Sequence, residues 1–316
     1  MSVHPVYAYE KKDNALTSAH WYQDFTRFVE LKGLSERSRV NYHAWVRQLG
    51  AHFGEIDLPS LPPARVLDFL IHLQNERKLA PSTLNQAVCG LRTLYRDHLG
   101  LNWDIWKKIH IKRDEPLPHV LTRDEVALLL RTFHDGRYRA FFTVLYQCGL
   151  RISEALAIKP RDINGERLVI YIPKTKNHKA REVPITPKLL GRLRKFYAWH
   201  KNPEWLFPGV GRGWNASDIT LRQAMHRSAK PMNKSAVWSA IKVAKAECGL
   251  SKKHEHLSTH TLRHSYGTHM LEGGASVRQV AAYLGHSSLK EVMRYLHLTE
   301  ISESKGREAL ETLADC

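Results

Sequence analysis

The sequence is short of several things. It has four cysteines in 316 residues, Cys89, Cys148, Cys248 and Cys316, all far apart. That scatter forms neither a disulfide framework nor a C-x-x-C metal pattern, and it fits a reducing compartment. No apolar run is long: Ala140–Leu150 is interrupted by Gln147 and falls well short of the roughly 20 residues that span a bilayer. The opening stretch MSVHPVYAYEKK holds no apolar signal core, which sets the expectation of a cytoplasmic chain without a membrane partner. There is no H-E-x-x-H, no repeat of fixed period and no low-complexity tract. Acidic side chains are scarce, 31 against 48 Lys and Arg, for a net charge of +17.

What is there narrows the reading. At 43% hydrophobic residues the chain can fill two or three cores, so it is not a basic disordered tail. A polyanionic partner is the first expectation, nucleic acid ahead of a membrane surface. The charge is also local. Residues 1–118 carry a net of +3, whereas the 80 residues from Lys174 to Lys253 carry 18 basic and 4 acidic side chains. Solubility alone does not require such clustering.

The pattern divides the chain into a loose tail (1–16), a helical domain (17–102), a linker (103–118) and a second domain (119–316). In the helical domain Trp21, Phe25, Phe28 and Val29 recur at helical spacing. Ser35 is placed to cap a helix with Val40, Trp45 and Leu49. After the break at Pro59–Pro63, a third carries Val66, Leu67, Leu70, Ile71 and Leu73, and Pro81 opens a fourth with Leu84, Val88, Leu91 and Leu94. This is a small helical bundle. The linker is basic and extended, with Pro116 and Pro118. Then Thr122-Arg-Asp-Glu125 forms a capping box. The second domain mixes types: strands at Arg167–Ile172 and Arg181–Ile185 around a charged turn, then helices at Pro187–His200, Asn233–Glu247, Thr261–Glu272, Ser276–Leu284 and Lys290–Leu296. The fold class expected is mainly α with a small antiparallel sheet.

Several residues are placed to do chemistry, and each has an ordinary alternative. Arg151 follows Gly149-Leu150 at a helix start, where a guanidinium and a helix N-terminus together attract an anion; a surface Arg after a helix break looks the same. Lys174, Lys176 and Lys179 occupy a hairpin tip, able to reach a phosphate or simply to sit in solvent. His260 and Arg263 share a helical face in His260-Thr-Leu-Arg263-His264, where the histidine is also a reasonable helix cap. Arg263 would repel a metal ion there. Leu284-Gly285-His286 lies past a helix end, and Tyr295, nine residues after His286, would by itself be a core residue.

Their order is the stronger signal. The stretches GLRISEAL (149–156), KNHKAREVPI (176–185), HTLRHSYGTHML (260–271), LGHSS (284–288) and the Tyr295 segment resemble the tyrosine recombinase, or phage integrase, family, with an architecture similar to its Xer and integron-integrase members. The resemblance implies a SAM-like core-binding bundle and a catalytic domain that together form a C-shaped clamp on DNA. It implies a site-specific recombinase that cuts and rejoins strands through a covalent 3′-phosphotyrosine, without ATP, metal or other cofactor. Carried over residue by residue, Arg151 and Arg263 clamp the scissile phosphate, Lys176 is the general acid, His260 helps take the nucleophile's proton, His286 stabilises the transition state, Tyr295 is the nucleophile and Glu154 orients the site. Those types suit the chemistry. Arginines stay protonated and bind phosphate oxygens in pairs, a tyrosyl ester keeps the bond energy, and the leaving 5′-oxygen needs a proton. Lys174 competes with Lys176, and Arg294-Tyr-Leu-His297 replaces the commoner Tyr-Thr-His.

The resemblance further implies double-stranded recombination sites as partner, a homotetramer on synapsed DNA from a free monomer or weak oligomer, room for accessory DNA-bending proteins, and a nucleoid location when bound. Ile301, Leu310 and Leu313 would make a tail helix that docks on the next subunit. The Arg-rich stretch Gly209–Lys230 (Arg212, Trp214, Arg222, Arg227) is either a DNA or protomer contact or a plain surface loop. Two other readings stand beside the recombinase: a type IB topoisomerase-like relaxase, and a catalytically silent DNA-binding regulator with the same fold.

Overall fold

The computed structural model describes residues 14–54, 57–112, 118–173, 180–211, 214, 219–286 and 288–296. The N-terminal tail, Lys174, Lys176, His297 and the tail-helix residues therefore lie outside the described residues. The chain forms two compact units that divide between residues 116 and 117.

The first unit holds α1 (Asn14–Ser18), α2 (His20–Leu31), α3 (Glu36–Phe53), α4 (Pro63–Asn75), α5 (Pro81–Arg92) running into a π-helical turn (Thr93–His98), and α6 (Ile105–Lys108). Local chemistry sets the ends. The Ser38 N–H donates to Ser35 Oγ at the start of α3, and Gly54 closes that helix in the left-handed conformation. Pro63 and Pro81 open α4 and α5, where a missing N–H costs nothing. The core is apolar and aromatic: Phe25, Val29, Trp45, Leu49, Val66, Leu73, Leu91 and Tyr95.

Two expectations shift. On α4 the buried stripe is Val66, Phe69, Leu70 and Leu73, while Leu67 and Ile71 face out, 36% and 45% exposed; Val40 on α3 is likewise 40% exposed. One residue of rotation, about 100°, decides which of two adjacent apolar positions meets the core. The stretch from Trp103, read as the start of a linker, carries α6, buries Trp106, and packs Trp103, Ile109 and Ile111 against the first core. Trp103 and Trp106 stack at 14°, and Tyr95 packs on both.

The second unit holds α7 (Arg123–Thr132), α8 (Gly136–Gln147), α9 (Ile152–Leu156), β1 (Ile163–Asn164), β2 (Val169–Ile172), β3 (Arg181–Pro184), α10 (Pro187–His200), α11 (Leu221–Arg227), α12 (Lys234–Glu247), α13 (Leu250–Lys253), α14 (Thr259–Glu272), α15 (Val277–Leu284) and α16 (Leu289–Leu296). The strands form one antiparallel sheet in the order β1-β2-β3, with Ile170 opposite both Ile163 and Val183. β1 was not anticipated, since two residues are too few to show a period. The capping box at Thr122 forms with Glu125. α11 falls in the Arg-rich stretch and is tied down by Asn202, which is fully buried. Its Nδ2 donates to the carbonyls of Met225, His226 and Ser228, and its Oδ1 accepts from the N–H groups of Glu204 and Trp205.

α14 is buried nearly all round, polar residues included, so polar contacts as well as apolar ones fix it. The Leu121 N–H donates to Ser265 Oγ, Arg123 donates to the His269 carbonyl, and the Tyr146 hydroxyl meets His269 Nδ1 at 2.8 Å. This helix carries His260, Arg263 and His264 into the site.

Candidate active site

The site gathers around the end of α15. Gly285 ends that helix at φ +66, in the left-handed region a glycine adopts at no cost. Helix C-terminal carbonyls carry partial negative charge, and here arginines take them up. Arg263 donates to the Leu284 carbonyl at 2.6 Å and to the Gly149 carbonyl at 2.7 Å. Arg151 reaches Leu284 at 3.5 Å. Arg181 Nε donates to the Tyr283 carbonyl at 2.8 Å. A Cβ at Gly285 would lie 2.7 Å from Arg181 Nη1, so the same glycine makes room for that guanidinium.

Glu154 stands beneath them, its side chain 2% exposed. Arg181 grips it with two bonds of 3.0 and 2.8 Å; Arg151 adds one from Nη1 and one from its backbone N–H; Arg263 Nη1 lies 3.8 Å away. Burial works against the charge, but the hydrogen bonds from Arg181 and Arg151 prevail and hold the carboxyl down to about 2. Three guanidiniums thus meet one carboxylate. Arg263, 4% exposed, feels the excess: burial and Arg151 lower it to about 10, partly offset by Glu154. Arg151 keeps the most access, its side chain 22% exposed. A buried cluster two positive charges in excess invites an anion, and forked guanidiniums fit phosphate oxygens.

Tyr295 lies on α16, 3% exposed. Its ring rests on the backbone of α14, where a Cβ on Gly267 would come within 3.0 Å of Tyr295 Cε2. Its hydroxyl is 2.9 Å from His264 Nδ1. Burial raises the hydroxyl's pKa above 10, and Arg263 pulls the other way. The His286 ring centroid is 6.4 Å from that of Tyr295, and its Nδ1 lies 3.4 Å from Glu291 Oε2. Burial and then the arginines lower His286 to about 3. His260 keeps part of its surface open to solvent, while partial desolvation by the atoms around its ring, then Arg263 and Arg151, lower its pKa. Among the described residues its ring makes no hydrogen bond.

Of the residues singled out in sequence, Arg151, Glu154, His260, Arg263, His286 and Tyr295 come together here, and Lys176 lies outside the described residues. Sequence reasoning passed over Arg181 and His264, although both sit inside quoted motifs. Arg181, a strand residue 27 positions from Glu154, gave no signal beyond its charge. His264 follows Arg263 directly and was overshadowed by it.

Fold and site together define a two-unit protein whose second unit builds a cationic, phosphate-type site beside a buried tyrosine. Residues 119–301 match the Phage integrase family, and residues 21–105 match its N-terminal SAM-like domain. The chain belongs to the phage integrase family. It is 33% identical over 278 residues to y4qK of Sinorhizobium fredii, a protein of integrase/recombinase type, covering 87% of this chain and 83% of that one. It is 27% identical to tyrosine recombinase XerA of Pyrococcus horikoshii, over 95% of this chain and 96% of that one. In fold it is similar to a lambda integrase tetramer bound to a Holliday junction, with a TM-score of 0.66 and 15% identity over 87% of this chain and 76% of that chain.

Proposed function

We propose that this protein is a site-specific DNA recombinase that cuts and rejoins strands through a 3′-phosphotyrosine. The observation that carries the reading is the buried excess of positive charge at Arg151, Arg181 and Arg263 next to the Tyr295 hydroxyl. Tyr295 attacks the scissile phosphodiester, and the ester it forms keeps the bond energy, so strand joining needs no ATP and no metal. Arg151 and Arg263 hold the non-bridging oxygens as charge concentrates on them. Glu154 and Arg181 fix Arg151 and Arg263 in place from behind. Lys176 protonates the leaving 5′-oxygen, and His260 and His286 face the phosphate.

The local charge between Lys174 and Lys253 holds the duplex, and the first unit adds DNA contacts of its own. Four copies assemble on paired sites and separate in the absence of DNA. No described helix is long and apolar enough to cross a membrane. Action on chromosomal DNA would place the protein on the nucleoid in the cytoplasm.

A nicked suicide duplex carrying the DNA that flanks the gene tests this. Wild type should form a covalent adduct, and Tyr295→Phe should bind without forming one. An adduct with Tyr295→Phe would displace Tyr295 as nucleophile; no adduct from wild type would favour the silent regulator. Relaxation of supercoiled DNA by a monomer without strand exchange would favour the relaxase.

A further inference from the structure

We propose that His264 is the base that receives the Tyr295 proton as the nucleophile attacks, an assignment that rests on the recombinase reading above. His264 Nδ1 lies 2.9 Å from the Tyr295 hydroxyl, whereas His260 stands one helical turn earlier, exposed and without a hydrogen bond among the described residues. Proton transfer needs hydrogen-bond reach before it needs a matched pKa, and His264 has that reach. The contact is built in. Gly267, one turn after His264, lets the Tyr295 ring lie against α14, and the two rings pack at 5.6 Å between centroids. His286 is turned elsewhere, with Nδ1 toward Glu291.

The electrostatics suit a base that works only when substrate is present. His264 faces His260 and Arg263 from its own helix, Arg294 and Tyr295 from α16, and His286 beyond the end of α15, so the main charges acting on it among the described residues are cationic. Burial first, then those charges, hold it to about 4, so at neutral pH the ring is uncharged. A bound phosphate supplies the missing negative charge, and protonation of the ring becomes favourable as the transition state forms. The step balances. The Oη–H bond breaks and its proton passes to Nδ1; the Oη–P bond forms; the P–O5′ bond breaks, and O5′ takes a proton from the acid assigned to Lys176. Rejoining reverses each transfer. For Nδ1 to accept, the resting ring must carry its proton on Nε2.

The test uses the full chain and the suicide duplex. His264→Asn places an amide where Nδ1 sits, able to hydrogen-bond but not to accept a proton. It should bind DNA as wild type does and form adduct about 100-fold more slowly. The acidic limb of the rate–pH profile, present in wild type, should be absent from His264→Asn. A rate within a few fold of wild type, or an acidic limb that persists, overturns the assignment. A measurement on the unsubstituted protein stands apart from any folding defect. Nitrogen NMR of the His264 ring at neutral pH should show a neutral ring protonated on Nε2, shifted by Tyr295→Phe. A ring protonated on Nδ1, or an imidazolium, overturns it. If wild type forms no adduct at all, the recombinase reading falls and not the choice of histidine.

Discussion

The two units bury different things. The first fills its core with Phe25, Trp45, Leu49, Phe69 and Tyr95, and its buried polar residues are only Gln48 and Thr93 among those described. The second has an apolar core of its own but also buries Glu154, His200, Asn202, His254, Arg263 and His269. Apolar burial is non-directional and tolerates exchange of one side chain for another of like volume. A buried charge tolerates little, because each partner lost leaves another uncompensated. One unit thus rests on apolar burial, while the other also holds a buried excess of positive charge around Glu154.

The largest effect expected from breaking this contrast is on chemistry. Arg263→Ala should abolish adduct formation on the suicide duplex while leaving most DNA affinity, since the remaining basic residues bind the phosphate backbone in a strongly salt-dependent way. Equal loss of binding and cleavage, read by gel shift and adduct yield, would argue that the site's charge is ordinary surface charge.

Next comes stability. Glu154→Ala leaves three guanidiniums without their carboxylate and should destabilise the second unit by about 3–5 kcal/mol in denaturant unfolding. Trp45→Ala should cost about as much in the first unit, through the cavity it opens. The two should part on adding sulfate or DNA, which occupies the cationic site. That should restore Glu154→Ala toward wild type and leave Trp45→Ala where it was.

Acid should sharpen the contrast further. His200, His264 and His286 are held by burial to about 4, 4 and 3 in the folded second unit, against an ordinary 6.5. Between pH 6.5 and those values the unfolded chain binds more protons, so stability falls as pH falls. Glu154, held to about 2, adds a loss that begins near its ordinary 4.5 and grows as pH drops further. Among the described residues of the first unit, only His43 is lowered so far, to about 4. Circular dichroism with a probe in each unit should show the second unit melting first on acidification.

The smallest effects are the controls. Gly267→Ala asks Tyr295 to give by a few tenths of an ångström and should slow cleavage only modestly. Leu31→Ser, at a side chain 88% exposed, should change stability by less than about 0.5 kcal/mol.

Much of this was legible in the chain. The caps at Ser35 and Thr122, the prolines that open α4 and α5, and the glycines at 149 and 285 are local, so a short window of sequence determines them. The set Arg151, Glu154, His260, Arg263, His286 and Tyr295 was legible through the resemblance of its ordered motifs to the phage integrase family, each residue alone having an ordinary alternative. Tertiary structure decided the rest. Periodicity offered Val66, Leu67, Leu70, Ile71 and Leu73 alike, and only the neighbouring helices kept Val66, Leu70 and Leu73, added Phe69 and left Leu67 and Ile71 outside. Nothing near Glu154 in sequence announced that Arg181 would grip it, nor that His264 and not His260 would meet the Tyr295 hydroxyl. A helix fixes which of its residues share a face, within one turn. Which partner that face meets depends on contacts tens to hundreds of residues away, and those exist only once the units have packed.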